Sequence, residues 1–179
     1  NILQFSAPGE RHLGRAIQLQ AAQHGDKPYL LFDETVYTFA QVNQRVNELA
    51  AGLARAGLKA GERLAFYMSS APEVVFLVLA TNKLGAVWVP VNSDYKGAWL
   101  EDTVNRGRAR LLVTDDSHAA RIAAVTGQLN VERIAVLERQ ILVGQHAVGL
   151  ARAADVDPNR SEAVAGEIGM RQRIALMRA

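Results

Sequence analysis

The sequence predicts an α/β fold: a doubly wound, mostly parallel sheet with helices on both faces. Three observations carry the prediction. Apolar runs of strand length at 64–68, 87–91, 111–113 and 134–137 are separated by helical patterns. Those runs are nearly continuously apolar and rich in Val, Ile and Leu at 111–113 and 134–137, as expected of strands buried on both faces. Their order, strand and helix in strict alternation, is the one that short crossovers turn into a parallel sheet.

The elements follow in order. Residues 13–23 read as a helix with Leu13, Ile17 and Ala21 on one stripe, closed by Gly25 as a cap and Pro28 beyond it. Residues 29–32 and 36–37 read as two short strands joined by the polar turn Asp33-Glu34-Thr35. Thr38-Phe39-Ala40-Gln41 fits a capping box. Behind it Phe39, Val42, Val46, Leu49 and Leu53 make one apolar stripe. Gly57 ends that helix, and Leu58 is placed for the capping contact that often follows.

After the strand at 64–68, Ser70-Ala71-Pro72-Glu73 fits a second capping box with Pro in the first turn. The helix at 72–84 is apolar on most sides, which predicts deep burial. Pro90 puts the strand at 87–91 near an end or an edge of its sheet. Residues 98–106 read as a helix. Asp115-Asp116-Ser117 reads as the cap of another, running to about Thr126 and stopped by Gly127. The run at 134–137 is expected to be the last strand. From Arg139 the texture changes, and residues 162–179 form a basic amphipathic segment with Met170, Ile174 and Met177 on one stripe. Such a segment suits an ordinary surface helix, a membrane surface or a partner helix. The expected division is 1–138 as the α/β unit and 139–179 as a tail or linker.

Composition excludes several classes. With 20 basic and 18 acidic residues the net charge is only +2, too little for a general attraction to nucleic acid. There is no cysteine, so disulfides, thiolate nucleophiles and cysteine metal sites are excluded. A cytoplasmic location is expected from this and from the absence of any apolar run long enough to span a membrane. The sequence opens on Asn1 in place of Met, as a trimmed or processed start would.

No nucleophile elbow, zinc-protease helix, phosphate-binding P-loop or dinucleotide fingerprint is present. His12, His24, His118 and His146 are scattered along the chain. Asp115-Asp116 reads as a helix cap, with a cation site as the alternative. Ser69-Ser70 falls between a strand end and a helix start, where open α/β sheets bind anions, although plain capping accounts for the same residues. Lys83 falls in the last turn of its helix, where a cation complements the helix dipole. Trp88 and Trp99 are expected to be core or half-buried packing. No residue is assigned a catalytic or metal-binding role.

Several segments taken in order resemble one family. They are YTFAQV, AGLKAGERLAFYMSSAPEVVFLVLA, NKLGAVWVPVN and PVNSDYKGAWLEDTV, within residues 13–137. Together they resemble the N-terminal part of the AMP-forming acyl-CoA synthetases of the adenylate-forming superfamily, and the last is similar to the branch acting on carnitine-type or fatty acyl substrates. The resemblance implies a parent enzyme that joins a carboxylic acid to ATP as an acyl-adenylate, then passes the acyl group to the CoA thiol, with Mg²⁺ as cofactor. It also implies that the phosphate loop, the aromatic-Gly-x-Thr-Glu motif, the ribose-holding Asp and the mobile lysine lie downstream of the matched region. None of these motifs occurs in this sequence. The chain alone is therefore expected to be inactive. A non-catalytic binding or assembly module on the same scaffold is the alternative, and a flavodoxin-like FMN domain is a third.

Overall fold

The computed structural model describes residue 5 and residues 7–139, 148–150 and 154–155. His146 and the stripe of Met170, Ile174 and Met177 lie outside the described residues. The chain divides into two compact units, one of residues 1–61 and 70–87, the other of residues 62–69 and 88–179.

The first unit holds three helices and a hairpin: α1 (Leu13–His24), β1 (Pro28–Phe32), β2 (Thr35–Thr38), α2 (Phe39–Arg55) and α3 (Pro72–Lys83). The hairpin is antiparallel, with Leu31 opposite Val36 and Phe32 opposite Thr35. Its turn holds Asp33 at φ 49. Thr38 and Gln41 form the expected reciprocal cap of α2: Gln41 N donates to Thr38 Oγ1 at 3.3 Å, and Thr38 N donates to Gln41 Oε1 at 2.9 Å. The end of α2 is equally regular. Gly57, at φ 94, donates to Ala54 O while Leu58 donates to Leu53 O, and Leu58 is buried. This is the six-to-one and five-to-two pattern of a glycine-terminated helix.

Two expectations fail here. Leu13 is half exposed, and the buried residues of α1 are Gly14 and Ile17. Gly25 is the C-cap of α1 as expected, in right-handed backbone at φ −48. Ser70 does not cap α3: the N-cap is Ala71, in extended backbone with no side-chain cap bond. The physical reason is Pro72, which forces the residue before it out of the helical region and starts the helix one residue later than a capping box needs. The burial of α3 is also uneven, with Phe76, Leu77, Leu79 and Ala80 buried but Val74, Val75 and Val78 only partly covered.

Gly14 is buried for a packing reason. A Cβ there would lie 2.6 Å from Lys83 Cγ and 2.8 Å from both Cα and N of Lys83. Backbone atoms cannot step aside as a side-chain tip can, so Gly14→Ala should push α1 off α3 and destabilise the protein by about 2 kcal/mol, read by denaturant titration. No change in the unfolding midpoint would refute this. At the same junction Lys83 Nζ donates to Asn43 Oδ1 and Asn47 Oδ1, each at 2.6 Å. Burial pushes the Lys83 ammonium below its ordinary pKa.

The second unit holds β3 (Arg63–Tyr67), β4 (Val87–Val91, whose first residue belongs to the other unit), α4 (Gly97–Gly107), β5 (Leu111–Asp115), α5 (Asp116–Ala123) and β6 (Arg133–Arg139). The sheet order is β4-β3-β5-β6, with β5 parallel to both β3 and β6. Pro90 lies on β4 at the sheet edge, as a residue without a backbone donor should. The strand at 133–139 is not the last. β7 (Val148–Leu150) and β8 (Ala154–Asp155) pair with it antiparallel. Helix α5 is shorter than expected and ends at Ala123, with a separate turn of 3₁₀ helix at Thr126–Gln128.

One face of the sheet supplies Ala65, Tyr67, Val91, Leu112 and Ile134 to a core completed by Leu100 and Val104 of α4 and Ile122 of α5. The α/β class and the mostly parallel sheet flanked by helices are as expected. Arg108 closes α4 in left-handed backbone at φ 48 and ψ 41, a region unfavourable to any residue with a Cβ. Arg108→Gly should therefore raise stability by about 0.5 kcal/mol, the relief of strain being partly offset by the greater freedom of glycine in the unfolded chain. A lowered thermal midpoint would contradict this.

Candidate functional site

The strand order defines one special position. From β3 the chain returns to the sheet as β4 on one side, and from β5 it proceeds to β6 on the other. The carboxyl ends of β3 and β5 therefore form the topological switch point, the place where open α/β sheets take their ligands. Ser69 follows β3 there, and Asp115 ends β5, with Asp116, Ser117 and His118 next in α5.

The structure brings Ser69 and the Asp115 cluster together. Asp115 is 2% exposed and is the N-cap of α5. Its Oδ1 accepts from His118 N at 3.0 Å and from Ser117 Oγ at 2.6 Å, and its Oδ2 accepts from Ser69 N at 3.1 Å. Burial pushes the Asp115 carboxyl up. Hydrogen bonds from Ser117, His118 and Ser69 outweigh that and hold it below its ordinary value. The capping role expected of Asp115 is thus observed.

The same arrangement decides the anion question for Ser69. The backbone donors that would meet a phosphate at this point already bind a resident carboxylate. A second anion bound there would lie beside the buried Asp115 carboxylate. These residues therefore do not fit the phosphates of ATP. Ser70 lies outside the cap of α3 and is exposed.

Ser117, His118 and Asp115 are the residue types of a hydrolase triad, but their geometry is not that of one. Ser117 Oγ lies 2.8 Å and Asp115 Oδ1 2.7 Å from the same ring atom, His118 Nδ1. A nucleophile needs its hydroxyl at one imidazole nitrogen and the orienting carboxylate at the other. Here all three close a single turn at the start of α5, and the His118 ring stands edge-on to Tyr67 at 5.0 Å. The cluster is an organised cap.

The other named residues are dispersed. His12 caps α1, its Nδ1 accepting from Arg15 N at 3.3 Å, and His24 ends the same helix. Lys83 is the last residue of α3 and is held by two asparagines. Trp88 is 41% exposed and stacked on Phe66 at 6.4 Å, in keeping with half-buried packing. Trp99 is 73% exposed, which overturns the expectation of core or half-buried packing for it. Among the described residues no group of three or more His, Cys, Asp or Glu is placed to hold a metal ion. No described helix is long and apolar enough to cross a membrane. Sequence reading missed Tyr67, Ser93 and Arg121. Their bonds run to main-chain carbonyls, which leave no side-chain pattern to read.

The fold is an open, mostly parallel α/β sheet whose switch point carries the capping carboxylate of Asp115. The comparisons agree with the family resemblance. The model of the family described as AMP-binding enzyme matches residues 17–167, and the chain belongs to that family. It is similar to the acetyl-coenzyme A synthetase of Methanothrix thermoacetophila, 31% identical over 117 residues that make up 60% of this chain and 18% of that protein. It is similar to the medium/long-chain-fatty-acid–CoA ligase FadD6 of Mycobacterium tuberculosis, 28% identical over 62% of this chain and 19% of that one. Among solved structures it is similar to the anthranilate CoA ligase AuaEII in complex with anthranoyl-AMP, with a TM-score of 0.65 and 25% identity over 70% of this chain and 24% of that chain. The chain thus spans under a third of the length of the relatives it matches.

Proposed function

We propose that this chain is the N-terminal scaffold of an ATP-dependent acid–thiol ligase, which forms an acyl-adenylate and then an acyl-CoA. The observation that carries the reading is the family match over residues 17–167, and the parallel sheet and its switch point are consistent with it. ATP, Mg²⁺ and CoA are then the cofactors and co-substrate of the whole enzyme, and a carboxylic acid is its substrate.

The scaffold alone is expected to be inactive. Adenylate formation shifts charge onto departing pyrophosphate, and that charge needs preorganised donors and cations around it. At the switch point the N–H groups of Ser69 and His118 are bonded to Asp115. The test compares the 179-residue protein with the polypeptide encoded by the open reading frame that carries it. Both are given ATP, Mg²⁺ and a panel of carboxylic acids. Acid-dependent ATP–pyrophosphate exchange is expected from the second and not from the first. Exchange catalysed by the 179-residue protein would overturn the scaffold assignment, and no exchange by either would overturn the ligase reading.

A further inference from the structure

We propose that Tyr67 and Arg121 form a single latch that holds the β4–α4 loop, residues 92–96, across the carboxyl edge of the sheet. The loop leaves the end of β4, beside β3, and enters α4. Its Asn92, Asp94 and Lys96 side chains are exposed. Its backbone is nevertheless tied inward. Tyr67, fully buried at the end of β3, places its hydroxyl 2.7 Å from Tyr95 O and 3.0 Å from Ser93 O. Arg121 of α5 donates from Nη1 to Ser93 O at 2.7 Å and to the Tyr67 hydroxyl at 3.3 Å.

Proton counting makes these contacts one device. A phenol carries one proton and donates it to one acceptor, so the nearer carbonyl, Tyr95 O, takes it. Ser93 O is then served by Arg121, whose remaining contact is to the phenol oxygen. Each side chain thus satisfies one loop carbonyl and orients the other side chain. Bonds within the loop are short in reach: Asp94 N donates to Asn92 Oδ1 at 2.9 Å and Tyr95 N to Asn92 O at 3.1 Å. Those two bonds form a local turn. The latch joins that turn to two elements, β3 and α5, that are distant in sequence. The loop therefore has a latched state, and a released state reached when the pair lets go. Its position beside the switch point makes that equilibrium a control on access to the carboxyl edge.

The test is amide hydrogen exchange by NMR on the 179-residue protein, read at Asp94 and Tyr95, with Leu112 and Val113 of β5 as internal references. Tyr67→Phe and Arg121→Met should each speed exchange of the loop amides by about tenfold, the equivalent of one buried carbonyl losing its donor. The reference amides should keep their rates. The double variant should exchange no faster than about twice the faster single one, because partners in one network do not add. Arg121→Lys, which retains one donor for Ser93 O, should fall between wild type and Arg121→Met, and it carries the test if Tyr67→Phe fails to fold. Unchanged loop rates, multiplying effects in the double variant, or equal acceleration of the β5 amides would each overturn the latch. None of these readouts depends on ligase activity.

Discussion

Replacing Phe76 with alanine is expected to destabilise the protein by about 4 kcal/mol, the usual range for a fully buried aromatic cut back to a methyl group. Phe76 is 1% exposed on α3, and its ring meets Tyr37 of β2 edge-on, with centroids 5.5 Å apart and planes at 76°. The variant loses the transfer energy of the ring, the aromatic pair, and the fit of a helix against a hairpin of only nine paired or strand residues, too short to be stable unaided. Urea denaturation followed by far-ultraviolet circular dichroism measures the loss. Phe76→Leu, which refills most of the volume, should recover more than half of it. A loss below about 1 kcal/mol for the alanine variant would mean that the site collapses without cost, contrary to tight packing there.

Asp115→Ala should cost about 3 kcal/mol at neutral pH. The substitution removes an N-cap and leaves the N–H groups of Ser69 and His118 without their acceptor in a buried place. Its pH dependence is the sharper test. The folded state holds this carboxyl below its ordinary pKa, so its contribution is fully present above the unfolded value of about 3.9 and fades as pH falls through the folded value. The gap between wild type and variant should therefore be constant from neutral pH down to about pH 5 and then narrow in acid. A gap that widens on acidification would show that burial, and not the hydrogen bonds, governs the group.

The local chemistry of the chain was legible where a residue acts on its near neighbours. Thr38 and Gln41 cap α2 from three positions apart, Gly57 and Leu58 close it, and Asp115 caps α5. The misreadings share one cause. At Ser70 the capping pattern was present, but the adjoining Pro72 moved the helix start. At Leu13 an apolar residue of the predicted stripe is half exposed, while Gly14 beside it is buried against Lys83. Arg108, about which the sequence offered no reading, closes α4 in left-handed backbone, next to Gly107, where a Cβ would lie 3.0 Å from Val89 Cγ1. Pattern states what a residue permits, and packing decides what it does.

The candidate site divides along the same line. Ser69 was visible as an anion position and Asp115 as a cap, but nothing local shows that the two sit 3.1 Å apart across 46 residues of chain. That distance gives the Ser69 N–H a resident acceptor. The Lys83 clamp on Asn43 and Asn47 and the close approach of Gly14 to Lys83 are of the same kind.

By itself the order of residues determined the α/β class, the alternation of strands with helices, most helix ends and the family. The family rests on the resemblance of ordered segments; the rest depend on periodicity and on caps spanning a few residues, interactions that close within one turn. The tertiary structure alone decided the β4-β3-β5-β6 order, the partner of Asp115, the exposure of Trp99 and the tying of Ser93 and Tyr95 to Tyr67 and Arg121. Those outcomes rest on contacts between groups tens of residues apart, and such contacts exist only once the strands have chosen their neighbours.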